Sequence, residues 1–269
     1  RLDARSVLHS ALSRADSGED RRALMHATLR EGWDSMAWES LDEWFDAARA
    51  QADLPEIGII GFCKTMPEEL RKKLGYKPGH AFWWHQLTDF LKEKEAWTIA
   101  EAAYRKALEL DPKAAYPWDG LGTLLQDHLG RPVEAEAAYR KAIELDPKLA
   151  HPWHGLGIVL EDHLGRPAEA EVAYRKAIEL DPKSAYPWNS LGTALAAHLG
   201  RPTEAEAAFR RAIELDPKFA SPWNGLGNVL EDHLGRPAEA EAAYRKAIKL
   251  DPKSAHPWLG LGNVFADLP

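Results

Sequence analysis

From residue 115 onward, apolar and small residues fall at helical spacing in two short runs, and the pair of runs repeats. In the first run Trp118, Leu121, Gly122 and Leu125 share one side of a helix. It opens at Pro117, where a missing N–H and a preset φ cost nothing. Gly130 ends it, because glycine most readily takes the left-handed conformation past a helix end. In the second run Ala135, Ala138, Tyr139 and Ala142 make the apolar side. That helix starts at Pro132, carries Glu134 and Glu136 where the helix dipole favours negative charge, and stops at Asp146-Pro147. The block 115–149 returns from Ala150, Ala185 and Ala220 and begins again at Ala255, so Trp118, Trp153, Trp188, Trp223 and Trp258 stand 35 residues apart. Such a period predicts a stacked array of helix pairs, with small residues facing Trp118 and Tyr139.

The residues Trp118, Leu121-Gly122, Ala135, Tyr139, Ala142 and Pro147 closely resemble the tetratricopeptide repeat, and the match holds in four successive units, with Phe209 standing for the tyrosine in one. The resemblance implies an all-α fold, a right-handed superhelical solenoid of antiparallel helix pairs. The family's usual period is one residue shorter. Here the extra residue falls between Gly122 and Ala135, around the turn from His128 to Pro132.

The chain divides into three stretches. Residues 1–50 read as N-terminal helices, over 2–15, 19–31 and from a cap at Asp34 or Ser35 to Ala50. Residues 19–50 form a degenerate helix pair, since Ala37-Trp38 through Phe45 to Ala48 repeats the spacing of Ala96-Trp97 through Tyr104 to Ala107. Residues 51–79 are an irregular connecting segment, broken by Pro55, Gly58, Gly61, Pro67, Gly75 and Pro78. Residues 80–269 are the array: about five repeats, the first atypical because Leu87 replaces a glycine, and a final unpaired helix. That open end, with Leu261, Val264 and Phe265, is expected to favour end-to-end self-association.

Composition narrows the function classes. A net charge of −8 argues against nucleic acid as partner. No apolar run reaches the length needed to span a membrane. No signal-peptide pattern opens the chain, which starts at Arg1 and reads as an excised piece of something longer. The single cysteine, Cys63, excludes an internal disulfide and fits a reducing, cytoplasmic setting. The stretch Gly58 to Thr65 ends in Lys-Thr, but Cys63 stands where a phosphate loop needs glycine. His128, His163, His198 and His233 recur one per unit, too far apart to share one metal ion. The sequence therefore predicts no catalytic residue, no metal site and no cofactor; it does not read as an enzyme.

Comparing the units with one another locates the candidate site. The second helices barely change, whereas substitutions gather on the first helices along a 3, 4, 3 spacing, which is one stripe. Unconstrained exposed positions would have varied on the second helices too, so the stripe reads as a diversified contact surface. The resemblance implies that this stripe lines a concave groove. The candidate groove residues are Tyr116, Asp119, Thr123, Gln126 and Asp127, then His151, His154, Ile158, Glu161 and Asp162, then Tyr186, Asn189 and Thr193, then Asn224, Asn228, Glu231 and Asp232. The stripe carries carboxylates and no Lys or Arg, which disfavours an acidic tail as ligand. It suits a protein or extended peptide that is basic, with an apolar anchor near Ala196, where unit three has small side chains. The expected function is thus a protein–protein interaction scaffold. Its alternatives are the substrate-presenting or regulatory arm of a larger enzyme, and an assembly module that stacks through its open end.

Overall fold

Proline and glycine set the helix limits much as the spacing predicts. The computed structural model describes residues 96–266, together with Gly79, Ala81, Trp84, Leu87, Thr88, Leu91 and Lys92. The expected helices of 1–50, the connecting segment up to residue 78 and Cys63 lie outside the described residues. Regular structure among the described residues is entirely helical. Two compact units are present, residues 1–130 and 131–269.

In the first unit α1 (Trp97–Leu110) packs against α2 (Ala115–Asp127). The second unit holds α3 (Pro132–Leu145), α4 (Ala150–Ile158), α5 (Pro167–Leu180), α6 (Ala185–Ala197), α7 (Pro202–Leu215), α8 (Ala220–Asn228), α9 (Pro237–Leu250) and α10 (His256–Ala266). Each of these packs on the next, and α6, α8 and α10 lie side by side as the first helices of successive repeats. The second helices start at their prolines, and Gly165, Gly200 and Gly235 take φ of 61–63° just before them. The first helices α2, α4, α6 and α8 start two residues before their prolines (Ala115 against Pro117), and α10 starts one residue before Pro257. Proline is tolerated there because the first four N–H groups of a helix have no internal partner.

The core differs from the expected one in its largest members. Tyr104, Tyr139, Tyr174 and Tyr244 are fully buried, whereas the periodic tryptophans are only half-buried and Trp258 is 54% exposed. The indole Nε1 of Trp118, Trp153 and Trp223 donates to the carbonyls of Pro112, Pro147 and Pro217 at 3.4–3.5 Å, so these rings cover the turn between repeats. The aromatic of each second helix lies on the backbone of first helices instead. A Cβ added at Gly225 or Gly227 would stand 2.5 Å from a ring carbon of Phe209 or Tyr244, and one at Gly260 would also strike Tyr244. Phe209 and Tyr244 thus sit between two glycines each, one on the helix before and one on the helix after (Gly192 and Gly225, Gly227 and Gly260).

The thirty-fifth residue is taken up at the end of the first helices. The N–H of Leu129, Leu164, Leu199 and Leu234 each reaches back five residues, to the carbonyls of Leu124, Val159, Ala194 and Val229 at 3.1–3.2 Å. In two repeats this widening extends to a full π turn, Val159–His163 and Val229–His233. Such turns absorb one residue without breaking a helix.

The constancy of the second helices also has a structural cause. Glu136 accepts hydrogen bonds from Arg140 at 2.9 Å on its own helix and from Arg166 at 2.7 Å at the next, while Arg166 also bonds Glu169. Arg201 joins Glu171 and Glu204, and Arg236 joins Glu206 and Glu239, in the same way. Burial alone would raise the carboxyl pKa values of Glu136 and Glu206, but the two guanidinium groups on each hold them below the usual range. These residues, read from sequence as freely solvated, form a clamp between repeats. Their lack of variation is therefore accounted for by packing, and loses its weight as a contrast to the first helices.

Candidate functional site

In the first unit the expected groove residues lie on α2. Tyr116 and Asp127 are exposed, and Asp119, Thr123 and Gln126 are half-buried. Thr123 Oγ1 donates to the Asp119 carbonyl at 3.2 Å, and Gln126 Nε2 donates to Asp127 at 2.9 Å. On the same unit the His128 ring stacks on Trp97, centroids 3.7 Å apart.

In the second unit, the first helices treat equivalent positions differently. Glu161, expected in the groove, is buried: Tyr174 O–H donates to its Oε2 at 2.7 Å. Burial raises its carboxyl pKa against the opposing pull of that bond, and His198 Nε2 lies 3.6 Å from its other oxygen. Glu231 is drawn in the same way by Tyr244, at 2.6 Å, with Asn228 Oδ1 at 2.9 Å from the same hydroxyl. Both glutamates belong to the π turns, which rotate a position of the expected stripe towards the second helix. Where unit three has Ala196, its partner is Phe209, which has no hydroxyl to satisfy. Glutamate and tyrosine, thirteen residues apart, thus appear together or are replaced together in these three repeats.

His154 is also withdrawn. It is half-buried, its Nε2 is 3.0 Å from Ser190 Oγ, and its ring tilts against Tyr174. Burial, with a smaller contribution from neighbouring His151, pushes its pKa down to about 4, so it is neutral near pH 7. Ile158 is half-buried, while His151, Asp162 and Tyr186 are exposed, the last with its ring 5.0 Å from Phe219.

The remaining positions converge. Asn189 and Thr193 of α6, and Asn224, Asn228 and Asp232 of α8 and its π turn, line a depression of about 430 Å³ with α10 on its far side. Ala196 and Ala197 lie in it, beside Phe209 and Val229. Asn224 Oδ1 is buried and accepts no hydrogen bond from any described residue. Ser221, His233, Asp251, Ser254 and His256 add further polar groups to the lining. Asp251 was missed because variation between units does not point to it: Asp146, Asp181 and Asp216 repeat the aspartate. Ser254 does vary (Ala114, Leu149, Ser184 and Phe219 are its equivalents) but precedes the first helix and so lies outside the stripe. No group of three or more His, Cys, Asp or Glu among the described residues is arranged to hold a metal ion.

Stacked helix pairs joined by glycine and proline turns, each pair locked by one aromatic ring, define an all-α helical-repeat protein. The tetratricopeptide repeat model matches residues 91–150, 160–218, 195–255 and 230–269, and the chain belongs to that family. Among solved structures it is similar to MamA, at 25% identity over 65% of this chain and 93% of that one, with a TM-score of 0.56. It is equally similar to YrrB, described as a TPR protein with an unusual peptide-binding site, at 25% identity over 71% and 97% and a TM-score of 0.56. The pilF protein of Pseudomonas aeruginosa shares the fold, at 23% identity, 70% and 85% coverage and a TM-score of 0.61. Comparison with curated proteins returns no match. No helix among the described residues is long and apolar enough to cross a membrane.

Proposed function

We propose that the chain is a non-catalytic scaffold that holds an extended, basic segment of a partner protein along its first helices. The observation that carries this reading is the depression between α6, α8 and α10, where Asn189, Asn224, Asn228 and Asp232 converge with no Lys or Arg in the lining. Asparagine side chains offer both a donor and an acceptor to a peptide backbone. Exposed Asp162 and Asp232 add negative potential that attracts a cationic ligand and speeds its approach, an effect that salt screens over about 8–10 Å. The peptide-binding site named for YrrB is in keeping with this use of the fold.

The test is capture of partners from a lysate by the whole chain, with identification of the bound proteins. Asp162→Lys and the double variant Asp162→Lys/Asp232→Lys should each weaken retention of the principal partner and flatten its salt dependence. Unchanged affinity in a folded double variant would reduce the acidic stripe to a solubilising surface and overturn the reading.

A further inference from the structure

Resting on the groove reading, we propose that the depression between α6, α8 and α10 is a socket for one cationic side chain, Lys or Arg, of the bound segment. Its floor is apolar because repeat three lacks the buried glutamate–tyrosine pair: Ala196 and Phe209 stand where the neighbouring repeats place Glu161 with Tyr174 and Glu231 with Tyr244. The absence of a carboxylate and a hydroxyl leaves an apolar floor to the depression, whose volume of about 430 Å³ is within the size range of ligand sites.

Beside the amide donors of Asn189 and Asn228, the rim offers acceptors to a cationic head. Asn224 Oδ1 is buried without a donor, and the carboxylates of Asp232 and Asp251 are exposed at its edge, Asp251 Oδ1 also accepting from the Lys253 N–H at 3.2 Å. An anionic side chain would face two like charges. A purely apolar one would fit the floor but leave Asn224 Oδ1 dry and unpaired, which is costly. A long cationic side chain meets both demands, because its aliphatic stem covers alanine while its head stays with the carboxylates. The apolar anchor expected near Ala196 is thereby replaced by a stem that ends in charge.

The experiment titrates the full chain with N-acetyl-arginine, N-acetyl-lysine and N-acetyl-norleucine methylamides, reading the side-chain amide NMR signals of Asn189, Asn224 and Asn228. The arginine or lysine compound should shift them saturably, the stronger of the two identifying the head group, and the norleucine compound should not. Asp232→Asn, an exposed substitution, should weaken the cationic compound by about threefold to tenfold. Ala196→Glu with Phe209→Tyr should rebuild the missing pair and abolish the shifts. Equal response to norleucine, or no response to either cation, overturns the socket. If the cations fail while Asp162→Lys still releases the captured partner, the groove reading stands without the socket; if they bind but no partner is captured, only the groove reading falls.

Discussion

A ring pressed against a glycine leaves no room for a methyl group, and this contact sets the most exacting requirement on single residues here. Tyr244 is buried, held at its hydroxyl by Glu231, and touched by Gly227 from one side. It cannot retreat from an added Cβ. Gly227→Ala is expected to destabilise the protein by about 1–3 kcal/mol through overpacking. Gly262 occupies the same place in the repeat, yet a Cβ there would meet nothing within 4 Å. Gly262→Ala should be neutral or stabilising by up to about 1 kcal/mol, since alanine is the better helix former. Urea denaturation of the two variants side by side checks this, and equal losses would refute the wedge. The sequence showed tryptophan and tyrosine with the same strict period. Period identifies which positions are equivalent but not which are buried, so Trp118 looked like a core residue and is instead half-buried, its indole N–H reaching the Pro112 carbonyl in the turn.

At the scale of the helix, the pattern of apolar residues named every first and second helix from residue 97 on, and their ends within a few residues. It could not foresee the π turns. A stripe drawn at 3, 4, 3 spacing assumes 3.6 residues per turn, and a wider turn displaces the side chains within and beyond it. That is why Glu161 and Glu231 were assigned to the groove yet bond to tyrosines, while Asn224 and Asn228, which precede a π turn, and Asn189, on a helix without one, line the depression. The two π turns coincide with the two glutamates, and α6, with Ala196, ends without one. Glu161→Ala is therefore expected to return Val159–His163 to α geometry, as in α6. A crystal structure or backbone chemical shifts of the variant would show it. A π turn that persists would show that the glutamate does not cause it.

For the second unit as a whole, two sets of titrating groups set its response to acid. His154 has a folded-state pKa of about 4 against 6.5 ordinarily, so the unfolded chain binds the proton more readily between those values. Stability should fall by roughly 3 kcal/mol as pH drops from 6.5 to 4 on this account. Glu206, its pKa held low by Arg210 and Arg236, contributes stability that is present above the ordinary carboxylate range and lost as pH falls through its lowered value. Glu161 works in the opposite sense, since protonation relieves its burial. His154→Gln should remove the loss beginning near pH 6.5 and leave the lower one, and Glu206→Gln should do the reverse. Melting curves across this range test it; a His154→Gln protein that still weakens from pH 6.5 downward would show that another group is responsible.

The wedged rings carry a further consequence for anyone who would lengthen, shorten or shuffle this array. Phe209 leans on Gly192 behind it and Gly225 ahead, across both kinds of loop in the unit. A splice at Gly200 parts the ring from the first, and a splice at Pro217 parts it from the second. No joint on either side of α7 leaves this ring whole, so the repeats it links are not interchangeable bricks. A graft taken from one register into another must bring a matching seat on each side of the seam, or the seam will be the place where the array comes apart.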